Sequence, residues 1–372
     1  MQKIFAALAA GAIIGTAAQA QAAFDWANPT MSVVVTTQNI LDNTGHTAAA
    51  SNDLDLRTVA VDATTGNLVI YTGNDGAATA GELTSIDISG STPSFTTLAT
   101  EAELITALGG TAGEAVASNT IRVDSNGDVY VGTFGDSDSQ IVRVQPGSPS
   151  TLNSVITNEG LTTFDFINSG NDFAVGQINN FGSFSNDFVS YPKTGGSSTV
   201  IANQTTVTGA SGAPEAGIVA FGVLSNGDYI TWDESFREGS DSFLSITSAG
   251  AVSVAAAAAD FNPSAGASGA VEDVRTDSTD NTFAWQEFGS DNGLFVFPAP
   301  FSSSTAVYID EADIESTLSL GSDVESATGG LAVYEPDAST RRLYLACENN
   351  DVIIELEWVD SANVNSWELY SH

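Results

Sequence analysis

The chain has 372 residues, with 9 Lys and Arg against 46 Asp and Glu and a net charge of −37. A surface this acidic repels nucleic acid and anionic lipid, attracts divalent cations and stays hydrated in salt. A single cysteine, Cys347, excludes an internal disulfide, and 42% hydrophobic residues exclude a disordered chain, so a packed core alone must hold the fold.

Residues 1–22 carry Lys3, an apolar run from Ile4 to Ile14 and then small residues; Ala18-Gln19-Ala20 and Ala20-Gln21-Ala22 both fit a signal-peptidase site. This is read as a bacterial-type secretory signal, too short and too rich in Ala and Gly for a membrane span. No later apolar run reaches spanning length. The expected mature chain, residues 23–372, is one exported domain, secreted or periplasmic.

The first strand, MSVVVTT at 31–37, belongs to no repeat unit. After it comes a recurring pattern: an alternating apolar strand, a polar turn with Gly, then a second apolar or aromatic strand. It is read in VAVDATTGNLVIYTG (59–73), IRVDSNGDVYVGTFG (121–135), FDFINSGNDFAVGQI (164–178) and FGVLSNGDYITWDE (221–234). Asn126-Gly127 and Asn226-Gly227 are the strongest hairpin signals, because the turn needs positive φ and Asn and Gly tolerate it. DVRTDSTDNTFAWQE (273–287) and LAVYEPDASTRRLYLACE (331–348) repeat the pattern without the Gly. Third strands follow at 83–89, 140–146, 187–193, 242–248, 293–300 and 351–359, with fainter fourth strands such as SFTTLAT and STVIAN.

The turn positions Gly66, Gly127, Gly170, Gly227, Asp280 and Ala338 are spaced by 61, 43, 57, 53 and 58 residues. Six units of three to four antiparallel strands at this period predict an all-β, six-bladed β-propeller. The sixth unit ends near Trp358 with few residues left, so strand 31–37 is expected to complete the last blade and close the ring. Helical spacing with early acids predicts short inter-blade helices at 100–110 and 310–321, while 254–270 reads as a long inter-blade loop.

VDATTGNLVIYTG and VDSNGDVYVGTFG look like the Asp-x-x-Gly-Asn/Asp-aromatic blade motif of the gluconolactonase-like, strictosidine-synthase-like and NHL-repeat propellers. The resemblance covers the mature chain in rhythm and is specific in the first, second and fourth blades. It implies the fold; that motif builds blades and does not define activity. It also implies a possible channel metal held by Glu, Asn and Asp, as in the gluconolactonase-like families, without assigning those ligands here.

The acids in the repeated turn do not make an EF-hand loop: counting Asp124 as the first position, the sixth is Val129 and the twelfth Gly135. Other acids precede the inner strands. Asp53, Glu114, Glu215 and Glu325 lie 12 or 13 residues ahead of their turns, where loops open at one mouth of the channel. Loops between second and third strands open on the same face and carry Phe134, Asn179-Asn180, Trp232-Asp233-Glu234 and Trp285-Gln286-Glu287. Two readings stand. The four carboxylates hold Ca²⁺, the cation that oxygen-only ligands suit, while Trp232, Trp285, Phe134 and Asn179 contact a ligand. Alternatively, the acids are a solvated surface and the Trp side chains pack between strands.

Catalytic nucleophile chemistry has little support: His46 and His372 are the only histidines, Cys347 reads as a small buried residue, and no Gly-x-Ser-x-Gly elbow or zinc spacing occurs. Arg57, Arg122 and Arg275 lie in or beside inner strands; ion pairing with buried acids is the plainer reading and a substrate-carboxylate clamp the sharper one. Three functions are carried forward. The first is a non-catalytic binding or surface-associated protein, whose partner is an extracellular polysaccharide, small molecule or protein. The second is a metal-dependent lactonase or ester hydrolase, and the third an extracellular assembly protein.

Overall fold

The computed structural model describes residues 24–44, 54, 56, 58–73, 81–107, 118–133, 140–156, 161–177, 187–213, 217–233, 241–257, 260, 270–287, 292–320, 324 and 330–360. The chain forms six four-stranded antiparallel sheets; in five of them each strand pairs with the next in sequence, and in the sixth the first strand of the chain joins the last three. The inner strands are Thr58–Val61, Ser118–Val123, Leu161–Ile167, Ile218–Val223, Ala270–Thr276 and Leu331–Asp337. Each inner strand packs beside that of the next blade and the sixth beside the first, which closes the ring of a six-bladed β-propeller. The expected tie between chain start and chain end is present: Thr30–Val35 is the outer strand of blade 6, pairing Met31 with Leu356 and Val33 with Ile354. It covers an edge that would otherwise be open to foreign strands.

The repeated turn has a direct physical cause. Asp124 Oδ1 accepts the backbone N–H of Asn126 at 2.8 Å and of Asp128 at 3.0 Å, while Gly127 takes φ +80°. Blade 5 keeps the device without glycine: Asp277 Oδ1 accepts from the N–H of Thr279 and Asn281, both at 2.9 Å, and Asp280 takes the positive φ, +68°. Where the motif carries an acid at this position, as at Asp62, Asp124, Asp277 and Asp337, that acid is thus a turn cap.

The core lies between blades, as apolar clusters that join successive sheets. One gathers Phe283, Trp285, Leu294, Leu345, Ile354 and Trp358, with Phe24 and Trp26 packed on it. Trp358 Nε1 donates to the Trp26 carbonyl at 3.1 Å, and the two rings lie 5.4 Å apart. Cys347 is buried there, and burial pushes its thiol pKa well up, in keeping with a packing role.

Two helices fall where spacing places them, Glu101–Ala107 and Glu311–Leu318, within the expected 100–110 and 310–321. Two others, Thr37–Asn43 and Gln204–Ser211, were not expected. The second has poor helix propensity, with three Thr, a Val and a Gly; an Asn203 cap and the burial of Val207 hold it. The loop reading of 254–270 is corrected at its start, because Val252–Ala257 is the outer strand of blade 4, paired with Ser242–Ile246. A run of alanines carries little strand propensity, and the waiting edge decides. The expected signal segment 1–22 lies outside the described residues. Among the described residues no helix is long and apolar enough to cross a membrane.

Candidate functional site

The channel is lined by the inner strands, and at one level it is charged. Arg122, Asp165, Gly222 and Arg275 each stand five residues before a positive-φ turn residue, Gly127, Gly170, Gly227 and Asp280, so blades 2 to 5 place them at matching height near the turn end. Arg122 Nε lies 3.2 Å from Asp165 Oδ2, and Arg275 Nη2 lies 2.8 Å from Asp273 Oδ1. Arg275 is fully engaged. Its Nε donates to the Leu331 carbonyl of blade 6 at 3.1 Å, its Nη1 to Val274 at 3.0 Å and to Phe221 of blade 4 at 3.5 Å, and its Nη2 to Asp273 at 2.9 Å. Asp273 Oδ2 also accepts the Leu331 N–H at 3.0 Å. One side chain therefore bolts three blades together.

Gly222 permits this: a Cβ there would sit 2.5 Å from Thr276 Cγ2, so only glycine lets the inner strands of blades 4 and 5 come so close. Burial, and then the Arg122 charge, lower the Arg275 pKa to about 10, while burial raises that of Asp273 against the pull of Arg275 and Arg122. Blades 2 and 5 stand opposite each other in a six-membered ring, so these charges act across the channel. The ion-pair reading holds fully for Arg275, and Arg122 lies beside Asp165 without a hydrogen bond to it; Arg57 lies outside the described residues.

On the other face, the ends of second strands meet the starts of inner strands. Asp233, the last residue of its strand, accepts the N–H of Gly217 at 2.8 Å through Oδ1, just ahead of the inner strand of blade 4. It is 1% exposed, and among the described residues its Oδ2 has no hydrogen-bond partner. Burial pushes its pKa up to about 6; the Gly217 N–H and the nearby Ser211 hydroxyl hold it down, and Asp241 adds a further push upward. Asp233 pairs with Ser242, so Asp233 and the buried Asp241 flank one loop on the channel face.

Of the sequence candidates, Asp53, Glu114, Glu215, Glu325, Phe134 and Asn179 lie outside the described residues. Trp232 and Trp285 are both described, and both are 0% exposed. Trp232 packs edge-on to Phe243 at 5.0 Å in the core between blades 4 and 5, and Trp285 donates its indole N–H to Glu287 at 2.7 Å. As ligand-stacking surfaces they are therefore corrected. Strand alternation turns both rings into the inter-blade core, which was the other reading of these residues. Asp233 and Glu287 end their strands beside these two Trp residues, and Asp165 was not singled out by spacing. The signal available for Asp165 was its register with Arg122. Among the described residues no group of three or more His, Cys, Asp or Glu is placed to hold a metal.

Six closed blades around a channel that is charged near its turn end define the class, a six-bladed β-propeller. No family model matches the sequence, and no curated protein matches it. Solved structures do share the fold. A protein of unknown function from Bacteroides thetaiotaomicron superposes with a TM-score of 0.55 at 10% identity, over 89% of this chain and 76% of that one. A gluconolactonase from Xanthomonas campestris gives 0.50 at 9% identity over 92% and 99%, and a calcium-binding protein, regucalcin, from Agrobacterium tumefaciens gives 0.50 at 10% over 83% and 92%. At such identities the likeness is one of fold.

Proposed function

We propose that this is an exported, non-catalytic binding propeller whose extracellular ligand docks on the loop face of the channel, with Ca²⁺ held among the carboxylates there. The observation that carries the reading is Asp233, a buried carboxylate whose second oxygen is unsatisfied among the described residues and whose ionisation is suppressed by burial, with a further push from Asp241. A divalent cation would satisfy that oxygen of Asp233, and an oxygen-only donor suits Ca²⁺. Glu215, a sequence candidate, lies two residues before the Gly217 amide that Asp233 binds, and Asp53, Glu114 and Glu325 are the other candidate donors. That a propeller of similar fold, regucalcin, is a calcium-binding protein supports the choice of Ca²⁺ for the test.

The test is thermal unfolding of the mature chain in EDTA and in Ca²⁺ at constant ionic strength. A ligand bound to the native state raises the midpoint once its concentration exceeds the dissociation constant. The expected result is a saturable rise with Ca²⁺ that is lost in Asp233→Asn and in Glu215→Gln with Glu325→Gln. An equal rise with matched NaCl or Mg²⁺ makes the acids a solvated surface and ends the proposal.

A second reading, a metal-dependent lactonase or ester hydrolase, is favoured by the same residue. A carboxylate titrating near 6 has the basicity of a general base at neutral pH. A lactone screen of the Ca²⁺-loaded chain separates the two: hydrolysis that rises through pH 6 and disappears in Asp233→Asn supports the enzyme, and none at any pH supports the binding protein.

A further inference from the structure

Arg122 and Arg275 occupy the same register of their blades, and each donates Nη1 to the carbonyl of the residue before it, Ile121 at 2.6 Å and Val274 at 3.0 Å. Beyond that they differ. Two residues earlier in its strand, Arg275 has Asp273, which takes its Nη2, and Leu331 takes its Nε. Two residues before Arg122 stands Thr120, whose hydroxyl lies 3.4 Å from that of Thr163 in the next blade. The Nη2 of Arg122 is buried with no hydrogen-bond partner, and its Nε, although 3.2 Å from Asp165, is not in hydrogen-bond geometry. Asp165 spends its Oδ1 on the Phe166 N–H at 2.7 Å. The Nε–Nη2 edge, the one whose two parallel N–H vectors match a carboxylate, is therefore buried and unsatisfied, faced by Asp165 alone, on a side chain that is 10% exposed. A buried guanidinium left this way costs free energy that an acceptor in the channel would recover.

We propose that Arg122 is a carboxylate-binding site at the floor of the channel, taking a small monocarboxylic acid on its Nε–Nη2 edge. The floor position follows from the strand: Arg122 is the second-last residue of Ser118–Val123, near the turn end of the channel. The monoanion follows from the charge count. Two guanidiniums face two carboxylates here, and Asp165 and Asp273 repel a dianion more than a singly charged acid. The Asp165 side chain is 24% exposed, which leaves it room to turn toward solvent as the ligand carboxylate arrives. The site is separate from the cation reading and needs no metal.

Its test uses mature protein labelled with ¹⁵N-arginine, in EDTA, titrated with sodium acetate against sodium chloride at equal ionic strength. The Arg122 Nε–H resonance, identified by its absence in Arg122→Lys, shifts saturably with acetate, with a midpoint on the order of 1 mM, and does not shift with chloride. Acetate also raises the unfolding midpoint of the wild type. That rise weakens at least tenfold in concentration dependence in Arg122→Lys, which keeps the charge and loses the fork. It vanishes in Arg122→Gln with Asp165→Asn, a pair that removes both charges together so that no buried carboxylate is stranded. No saturable shift, an equal shift with chloride, or an acetate response retained in the double variant overturns the proposal. Running in EDTA separates its failure from that of the Ca²⁺ site.

Discussion

Asp233→Asn is expected to stabilise the protein, and to do so only above about pH 5. In the folded chain the carboxyl titrates near 6 and its ordinary value is 3.8, because burial penalises the anion. A raised acid pKa means that the folded state holds a proton the unfolded state has released, so stability is lost as pH rises from about 4 and the full penalty stands above 6. At 1.36 kcal/mol per pH unit the shift corresponds to about 3 kcal/mol. Asparagine does not titrate, and its amide oxygen can still accept the Gly217 N–H. At pH 4 the variant and the wild type should match; at pH 8 the variant should unfold about 3 kcal/mol later, roughly 4 °C in midpoint for a domain of this length. Thermal unfolding of both proteins in EDTA across pH 4–8 measures the difference, and Ca²⁺ should close it by stabilising the wild-type anion. A gap that is constant with pH, or that grows toward acid, refutes the reasoning.

Gly222→Ala should cost ~1–3 kcal/mol, since the new methyl meets Thr276 Cγ2 at 2.5 Å and the Thr276 nitrogen at 3.2 Å. Adding Thr276→Ser should recover part of that loss in the same unfolding assay, and a neutral Gly222→Ala contradicts the close approach of blades 4 and 5. Arg275→Met should cost ~3–5 kcal/mol, because it leaves Asp273 charged, buried and unpaired. Its deficit should shrink on acidification and on adding Asp273→Asn, whereas a deficit independent of both shows that the packing of the arginine stem, not its charge, holds the blades.

Much of the fold was legible because propeller blades are built from local contacts. Each hairpin is decided within some fifteen residues, by apolar alternation and by an acid that caps a turn opening into positive φ, as at Asp124 with Gly127 and Asp277 with Asp280. Even the closure of blade 6 by Thr30–Val35 could be inferred, since the sixth unit lacked a strand and the chain start had one to spare. Tertiary structure decided matters where the partner is distant in sequence. The outer strand Val252–Ala257 and the helix Gln204–Ser211 have weak intrinsic preference and are held by the edge and the core they meet.

The same holds for the site. Composition placed acids and aromatics near one face, and alternation offered the inter-blade core as one of two readings for Trp232 and Trp285; only the tertiary structure chose it and buried Asp233 at the strand end against Gly217. Nor could alternation place Arg122 beside Asp165 and leave its Nε–Nη2 edge unsatisfied, while Arg275 is bonded on every nitrogen. Local sequence sets strand, turn and period, because those depend on neighbours along the chain. Which charges share a low-dielectric channel, and which of them is left without a partner, depends on ring closure, which brings opposite blades within electrostatic reach.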